Sequence, residues 1–414
     1  MTTTANVVTS AGVYGSVDMG PAGGAFPDGP VIAARPGDGV VALSFGDTTV
    51  HVPAGTTVDV PVGTTVDLPV DWLRDNCPCG ECRITQTDER RIRPWRLPPA
   101  QVAGLTVVDG VLVVEWAEGH TSKFEPPSWA AATRATRRGA FTATLWRAGY
   151  ELVRVDHDAA VSDPDVRRHL FEAFRRDGAV VVTGAPAVPG AVVDFMRTVQ
   201  IALVDSSLGF LFDVKLDPAG YNVAFTAEEL PLHNDNAQYA QPPSGQVLSM
   251  VVNEATGGDS MVADGWSVLE QLRAVDPEAV ETLSSVAVGF RQYSDHADGF
   301  TRAPLVVRDA SDRFVHLRFS NQLMQPLPFD HPSLAEWYRA YRALGALIAD
   351  PTNHVTFRLR GGEMLMVNGY RVLHARKAFT PDGPRHLQDV YFNTDDIFGH
   401  LARMTGDAVN AMGR

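Results

Sequence analysis

The chain has only three cysteines in 414 residues, and all three sit close together as Cys77, Cys79 and Cys82. So few thiols, and an odd number of them, exclude a disulfide scaffold. Basic residues are also scarce: 35 Lys and Arg stand against 49 Asp and Glu, a formal net charge of −14. No run of Lys and Arg exists to neutralise phosphates, so nucleic acid is not an expected partner. No apolar stretch reaches membrane-spanning length, and no membrane partner is expected. The opening "MTTTANVVTSAGVYGSVDMGPAGGAFPDGP" lacks a basic-then-apolar secretory pattern, so the expected location is the cytoplasm. Its Gly, Ser, Thr and Pro content reads as a flexible leader over residues 1–37.

What is present is apolar: 45% of residues are hydrophobic, enough for a sizeable core in more than one domain. From 38 to 135 short β-branched runs such as "VVALSF", "TTVDLPVDWL" and "VVDGVLVVEW" are separated by Gly, Asp and Pro, which reads as a small β domain. Asp109-Gly110 is the expected turn of a hairpin. A helical bridge is expected in "PPSWAAATRATRRGAFTATLWRAG". The second domain, 136–414, opens with the helix-like "SDPDVRRHLFEAFRRDG", the buried strand "AVVVTG" and a helix across "VPGAVVDFMRTVQIALV". Many short strands follow, interrupted by helices at "WSVLEQLRAV" and "SLAEWYRAYRALGALIAD". The fold class expected is α+β, mainly β, with sheets forming a sandwich or barrel.

The cysteine cluster "DNCPCGEC" carries chemistry. Soft thiolates at this spacing suit zinc, and a nitrogen ligand is needed to close the tetrahedron. His120 in "EWAEGHTSKF" is the nearest good candidate downstream, with His51 as a competitor. A closed four-ligand site is structural, and would stabilise a domain too small to rely on its core.

A second constellation starts in "LPLHND", where His233 and Asp235 stand two apart and would share one side of an extended chain. An isolated pair of this kind is most simply a hydrogen-bonded strand end. Iron(II) oxygenases, however, need two imidazoles and one carboxylate on one face, with positions left open. Of the twelve histidines, His374 in "MLMVNGYRVLHARKAF" has the matching setting, an apolar strand followed by a turn. Eleven residues on lies Arg385 in "PRHLQDVYFN", whose guanidinium could grip a carboxylate with two parallel hydrogen bonds.

These residues, with "YNVAFTAEELPLHND", "PPSGQVLSMVVNEATGGDSMVADGW" and "HLRFSN", resemble the iron(II)- and 2-oxoglutarate-dependent oxygenases of the γ-butyrobetaine hydroxylase and trimethyllysine hydroxylase branch, near taurine dioxygenase. The resemblance runs from about residue 38 almost to the end and includes the cysteine-bearing domain. It implies a double-stranded β-helix, or jelly roll, holding Fe(II) on His233, Asp235 and His374. It also implies 2-oxoglutarate as cosubstrate, its far carboxylate on Arg385, with O2 consumed and succinate and CO2 released. Asn222 matches a position that contacts cosubstrate or substrate, or else forms a turn. Phe212, Phe225 and Tyr391 match an aromatic cage for a trimethylammonium group. Phenylalanine at 212 and 225 departs from the family's tryptophan and tyrosine, and Ser320 before Asn321 departs from its double asparagine. The small-molecule substrate implied is a zwitterion such as a betaine or amino acid, and the outcome hydroxylation, with desaturation or ring closure as alternatives. A non-catalytic binding module on the same fold would have eroded these ligands. Relatives with the zinc domain are commonly homodimers.

Overall fold

Apolar runs too long for one buried face pair into sheets covered on both sides, and two such sheets organise most of this chain. The structure is a computed structural model and describes residues 12–20, 30–45, 48–52, 56–60, 65–126, 129, 140–205, 209–217, 220, 222–294 and 298–404. The chain divides into two units, Met1–Gly20 with Ala140–Leu401, and Pro21–Gly139 with Ala402–Arg414. Among the described residues no helix is long and apolar enough to cross a membrane.

In the larger unit ten strands matter for the site. They are β1 (Arg154–Asp156), β2 (Ala179–Thr183), β3 (Phe212–Val214), β4 (Leu230–His233), β5 (Gly245–Asn253), β6 (Ser260–Asp264), β7 (His354–Phe357), β8 (Glu363–Asn368), β9 (Val372–Arg376) and β10 (Arg385–Phe392). One sheet runs β1-β2-β8-β5-β10-β3 and the other β4-β9-β6-β7. Alternate side chains take opposite faces. Val181, Met250, Leu365 and Leu387 of the first sheet meet Val262 and Val372 of the second in one buried cluster. Val180, Val182, Met364, Met366, Val390 and Phe392 point the other way. They pack against helices α1 (Pro164–Asp177) and α2 (Ala191–Thr198) through Phe171, Phe174, Phe195 and Met196. The second sheet's outer face, with Met261, Ala263 and Leu373, is covered by α3 (Gly265–Val275) through Val268, Leu269 and Leu272.

Helix α1 follows its sequence signals closely. Asp163 caps it by accepting from Asp165 N, and Gly178 ends it at φ +74°. Helix α2 is shorter than expected. Gln200 turns the chain at φ +63°, and Leu203 already bridges to Phe392. The helices Pro277–Ser285 and Thr394–Met404 are not anticipated by the sequence reading. Behind α1, Arg371 is fully buried and pairs with buried Asp264 at 2.7 Å. Its remaining donors reach the carbonyls of Thr144 and Arg176, tying four separate segments together.

Two expectations are corrected. The flexible leader over 1–37 is not what the described part shows, because Val13–Asp18 pairs antiparallel with Thr142–Trp146 and Val31–Pro36 pairs with Val40–Phe45. Both segments are short and lack a clean apolar–polar alternation, so the Gly and Pro around them dominate the sequence signal; residues 1–11 and 21–29 lie outside the described residues. Half of the helical bridge falls on residues outside those described, and Thr142–Trp146 within it is a strand.

The smaller unit is β-rich as expected. Val102–Val108 and Val111–Trp116 form the hairpin, and Asp109 and Gly110 both adopt positive φ, 52° and 79°, as a type I′ turn requires. Val41, Leu43, Phe45, Leu112, Val114, Trp116, Phe124 and Trp129 make its core. The run "TTVDLPVDWL" changes from strand to helix at Pro69, and that short helix, Val70–Asp75, leads into the cysteines.

Candidate active site

Pairing of β4 with β9 sets His233 directly opposite His374 across an antiparallel register. Their rings lie 4.4 Å apart, centre to centre. Asp235 does not continue the strand as the sequence suggested. β4 ends at His233, and Asn234 pins the chain by donating to Gly369 O and accepting from Phe319 N. Asp235 nonetheless returns to the same point: His233 Nε2 stands 3.2 Å from Asp235 Oδ1, and His374 Nε2 3.8 Å from Asp235 Oδ2. Donor atoms of all three residues lie within 4.8 Å of one another. Ligands about 2.1 Å from a metal and at right angles sit about 3 Å apart, so the set fits one face of an octahedral ion. His233 donates Nδ1–H to Pro231 O at 2.8 Å, which orients the ring with Nε2 toward that face.

The electrostatics suit a cation. Burial alone would push the Asp235 carboxyl up, but the bond to His233, the nearby His374 and the Tyr391 hydroxyl hold it well below the usual carboxylate range. Burial and then His233 push His374 down to about 4, keeping it a neutral imidazole, the ligating form. Asp235 Oδ2 also accepts from Gln246 Nε2 at 2.7 Å and Tyr391 OH at 2.8 Å. Those same two donors reach Asp389 Oδ2, at 2.8 and 3.2 Å. Burial, then the Asp235 charge, push Asp389 up to about 7. Gln246 and Asp389 escape the sequence reading, although polar residues inside "GQVLSMVV" and "RHLQDVYF" are the signal that could have found them.

Arg385 begins β10, on the strand face that also carries Asp389 and Tyr391, about 13 Å along from Asp389 at ordinary strand rise. Its guanidinium lies 5.2 Å from the Phe379 ring, and its buried Nε has no hydrogen-bond partner among the described residues. Burial and the neighbouring Arg376 and Arg358 push its pKa down to about 10. Arg376 and Arg358 are occupied with backbone carbonyls. A buried cation left with open donors fits an incoming carboxylate.

The remaining expected residues divide. Phe212 pairs with Asp389 across β3–β10 and meets Tyr391 edge-on at 5.6 Å. Phe225 lies in the turn Val223–Phe225, which Arg376 clasps through Ala224 O and Thr226 O. Asn222 is exposed, and its Oδ1 caps that same turn by accepting from Ala224 N, so the turn-forming alternative is the one seen. Ser320 is buried, whereas Asn321 is exposed and accepts from Tyr341 OH.

In the smaller unit Cys77, Cys79, Cys82 and His120 form a second cluster. His120 Nε2 lies 3.3, 3.7 and 3.6 Å from the three sulfurs in that order. Zinc bonded to sulfur at about 2.3 Å and nitrogen at about 2.0 Å, in a tetrahedron, sets such atoms about 3.5 Å apart. The cluster therefore fits zinc. Arg74, not anticipated from the sequence, donates to Cys82 Sγ at 3.4 Å while paired with Glu118. The side chain of His51 lies outside the described residues.

Comparison with known proteins agrees with this geometry. Residues 141–391 match the taurine catabolism dioxygenase TauD, TfdA family, and residues 55–125 match the gamma-butyrobetaine hydroxylase-like N-terminal family. A gamma-butyrobetaine dioxygenase from Pseudomonas sp. (strain AK-1) is 34% identical over 80% of this chain and 88% of its own. Gamma-butyrobetaine dioxygenase of Pongo abelii is 25% identical over 80% and 89%. Trimethyllysine dioxygenase of Neurospora crassa is 24% identical over 79% and 78%. The chain thus belongs to the TauD/TfdA family and is a 2-oxoglutarate-dependent dioxygenase with a gamma-butyrobetaine hydroxylase-like N-terminal domain.

Proposed function

We propose that the protein hydroxylates an unactivated C–H bond of a small zwitterion, a betaine or amino acid, at an iron held by His233, Asp235 and His374. The observation that carries this is the convergence of those three side chains around one point, with the buried Arg385 Nε lacking a hydrogen-bond partner among the described residues. When bound, the iron with 2-oxoglutarate and O2 supplies the oxidising power, and succinate and CO2 leave with the hydroxylated product. The protein's own part is to orient and exclude. Pro231 O fixes the His233 tautomer, and Gln246 and Tyr391 hold Asp235 in place. Arg385 takes the far carboxylate of the cosubstrate through a two-pronged hydrogen bond. Asp235 keeps a carboxylate where a halogenase would leave room for chloride, which favours hydroxylation. The substrate class is supported by the activities named for the relatives, gamma-butyrobetaine and trimethyllysine dioxygenases.

We also propose that the two sheets form a double-stranded β-helix, that residues 38–135 are a zinc domain built on Cys77, Cys79, Cys82 and His120, and that the remainder is the oxygenase domain. A cytoplasmic homodimer is proposed on the family resemblance. The experiment is succinate formation from 2-oxoglutarate with Fe(II) and air. His233→Ala and Asp235→Ala should each lose more than the roughly 10–100-fold that an outer partner of a ligand costs. Undiminished turnover in both variants would refute the assignment.

A further inference from the structure

One buried acid beside the site has no use in the scheme above. Asp389 is only 5% exposed, and it lies on the β10 face that carries Tyr391. The donors available to it are limited. Gln246 supplies its amide to Asp235 and Asp389 together, and the single Tyr391 hydroxyl proton is shared between the same two carboxylates. Both reach Oδ2 of Asp389. Its Oδ1 is buried with no hydrogen-bond partner among the described residues. A buried carboxylate oxygen without a donor is costly, and more so beside a second carboxylate. Across the strand from Asp389 stands Phe212, edge-on to Tyr391. One unpaired, buried acceptor thus lies beside two rings, one of them phenylalanine, a weaker cation–π partner than tryptophan.

We infer that Asp389 is a specificity residue that binds the cationic head of the substrate through an N–H, selecting ammonium groups with at least one hydrogen over fully methylated ones. A protonated amine makes a charge-assisted bond to a carboxylate oxygen at about 2.8 Å. A quaternary ammonium has no N–H; its methyl groups hold the nitrogen away and leave the oxygen unpaired. This rests on the function proposed above and narrows its substrate class to amines and N-methylated amines short of the quaternary stage.

The test uses the full chain with Fe(II) and 2-oxoglutarate under anaerobic conditions, titrated by calorimetry. The probes are 4-aminobutyrate and its N-methyl, N,N-dimethyl and N,N,N-trimethyl forms, with trimethylammonium and tetramethylammonium ions as head groups alone. Ligands bearing N–H should bind about 10-fold or more tightly than their fully methylated counterparts, the factor one hydrogen bond to a charge carries. That ratio should fall toward one in Asp389→Asn and be partly regained in Asp389→Glu. Equal or tighter binding of the fully methylated ligands, no binding of any ammonium ion, or an unchanged ratio in a folded Asp389→Asn would each overturn the inference. If the Asn variant does not fold, the wild-type ratio decides. Iron and 2-oxoglutarate affinities are measured in the same samples; their absence in the wild type would refute the proposed function, a separate failure from that of the head-group preference.

Discussion

At the scale of residues, the site is a set of polar groups each made useful by what its neighbours withhold. Arg385 illustrates this, because Arg376 and Arg358 are occupied with carbonyls and leave it the open guanidinium. Replacing it by lysine keeps the charge but loses the fork. Arg385→Lys should raise the KM for 2-oxoglutarate about 10-fold or more, read from succinate release, with a smaller change in kcat. His316 gives a pH prediction outside the His233–Asp235–His374 cluster. Burial, then the Arg318 charge, push it down to about 3, and it stacks on Tyr370 at 4.0 Å. A histidine depressed in the folded state stays neutral there while the unfolded chain takes up a proton. Its stabilising effect is therefore complete above about pH 6.5 and is lost as pH falls toward 3, at about 1.4 kcal/mol per unit. His316→Phe keeps the ring stack and should flatten the fall in urea-measured stability between pH 6 and 4. Of the candidate site residues, the converging His233, Asp235 and His374 and the buried Arg385 were legible because such groups are rare in apolar text. Gln246, Asp389 and Arg74 were not, since their meaning depends on which strand or helix lies opposite.

Among the elements, α1 is the one most fully written in its own residues. Removing its cap with Asp163→Ala should cost about 1 kcal/mol. Gly178→Ala should cost more, roughly 1–3 kcal/mol, because φ is +74° and a Cβ would lie 2.9 Å from Arg371 Cδ. Both are read from urea midpoints. The hairpin at Asp109-Gly110 was equally legible, its turn type being set by two residues that tolerate positive φ. The strands Val13–Asp18 and Thr142–Trp146 were not. Each is short, and its partner lies more than a hundred residues away, so no local signal distinguishes it from loop or helix. β4 shows the opposite limit. Its alternation placed His233 and Asp235 together, yet the strand stops at His233 and the convergence comes from Asn234 bonding to two distant backbones.

For the molecule as a whole, two buried ionic arrangements should dominate stability. Arg371→Ala leaves Asp264 charged and unpaired in the core, and should cost about 3–5 kcal/mol in equilibrium unfolding. Cys79→Ser should lose the zinc measured by metal analysis and lower the melting temperature, while iron remains bound; zinc content unchanged in that variant would count against the cluster's role. By itself the sequence determined the class of chemistry, because three thiolates and an imidazole, or two imidazoles and a carboxylate, are combinations whose ligand chemistry depends on atom type. It also determined the mainly β character, through runs of β-branched residues whose pairing leaves few alternatives. Only the tertiary structure decided which polar groups share a donor and which are left without one. Asp389 and Arg385 are ordinary letters in "RHLQDVYF"; burial and strand register, both set by contacts far along the chain, leave Oδ1 of one and Nε of the other unpaired among the described residues.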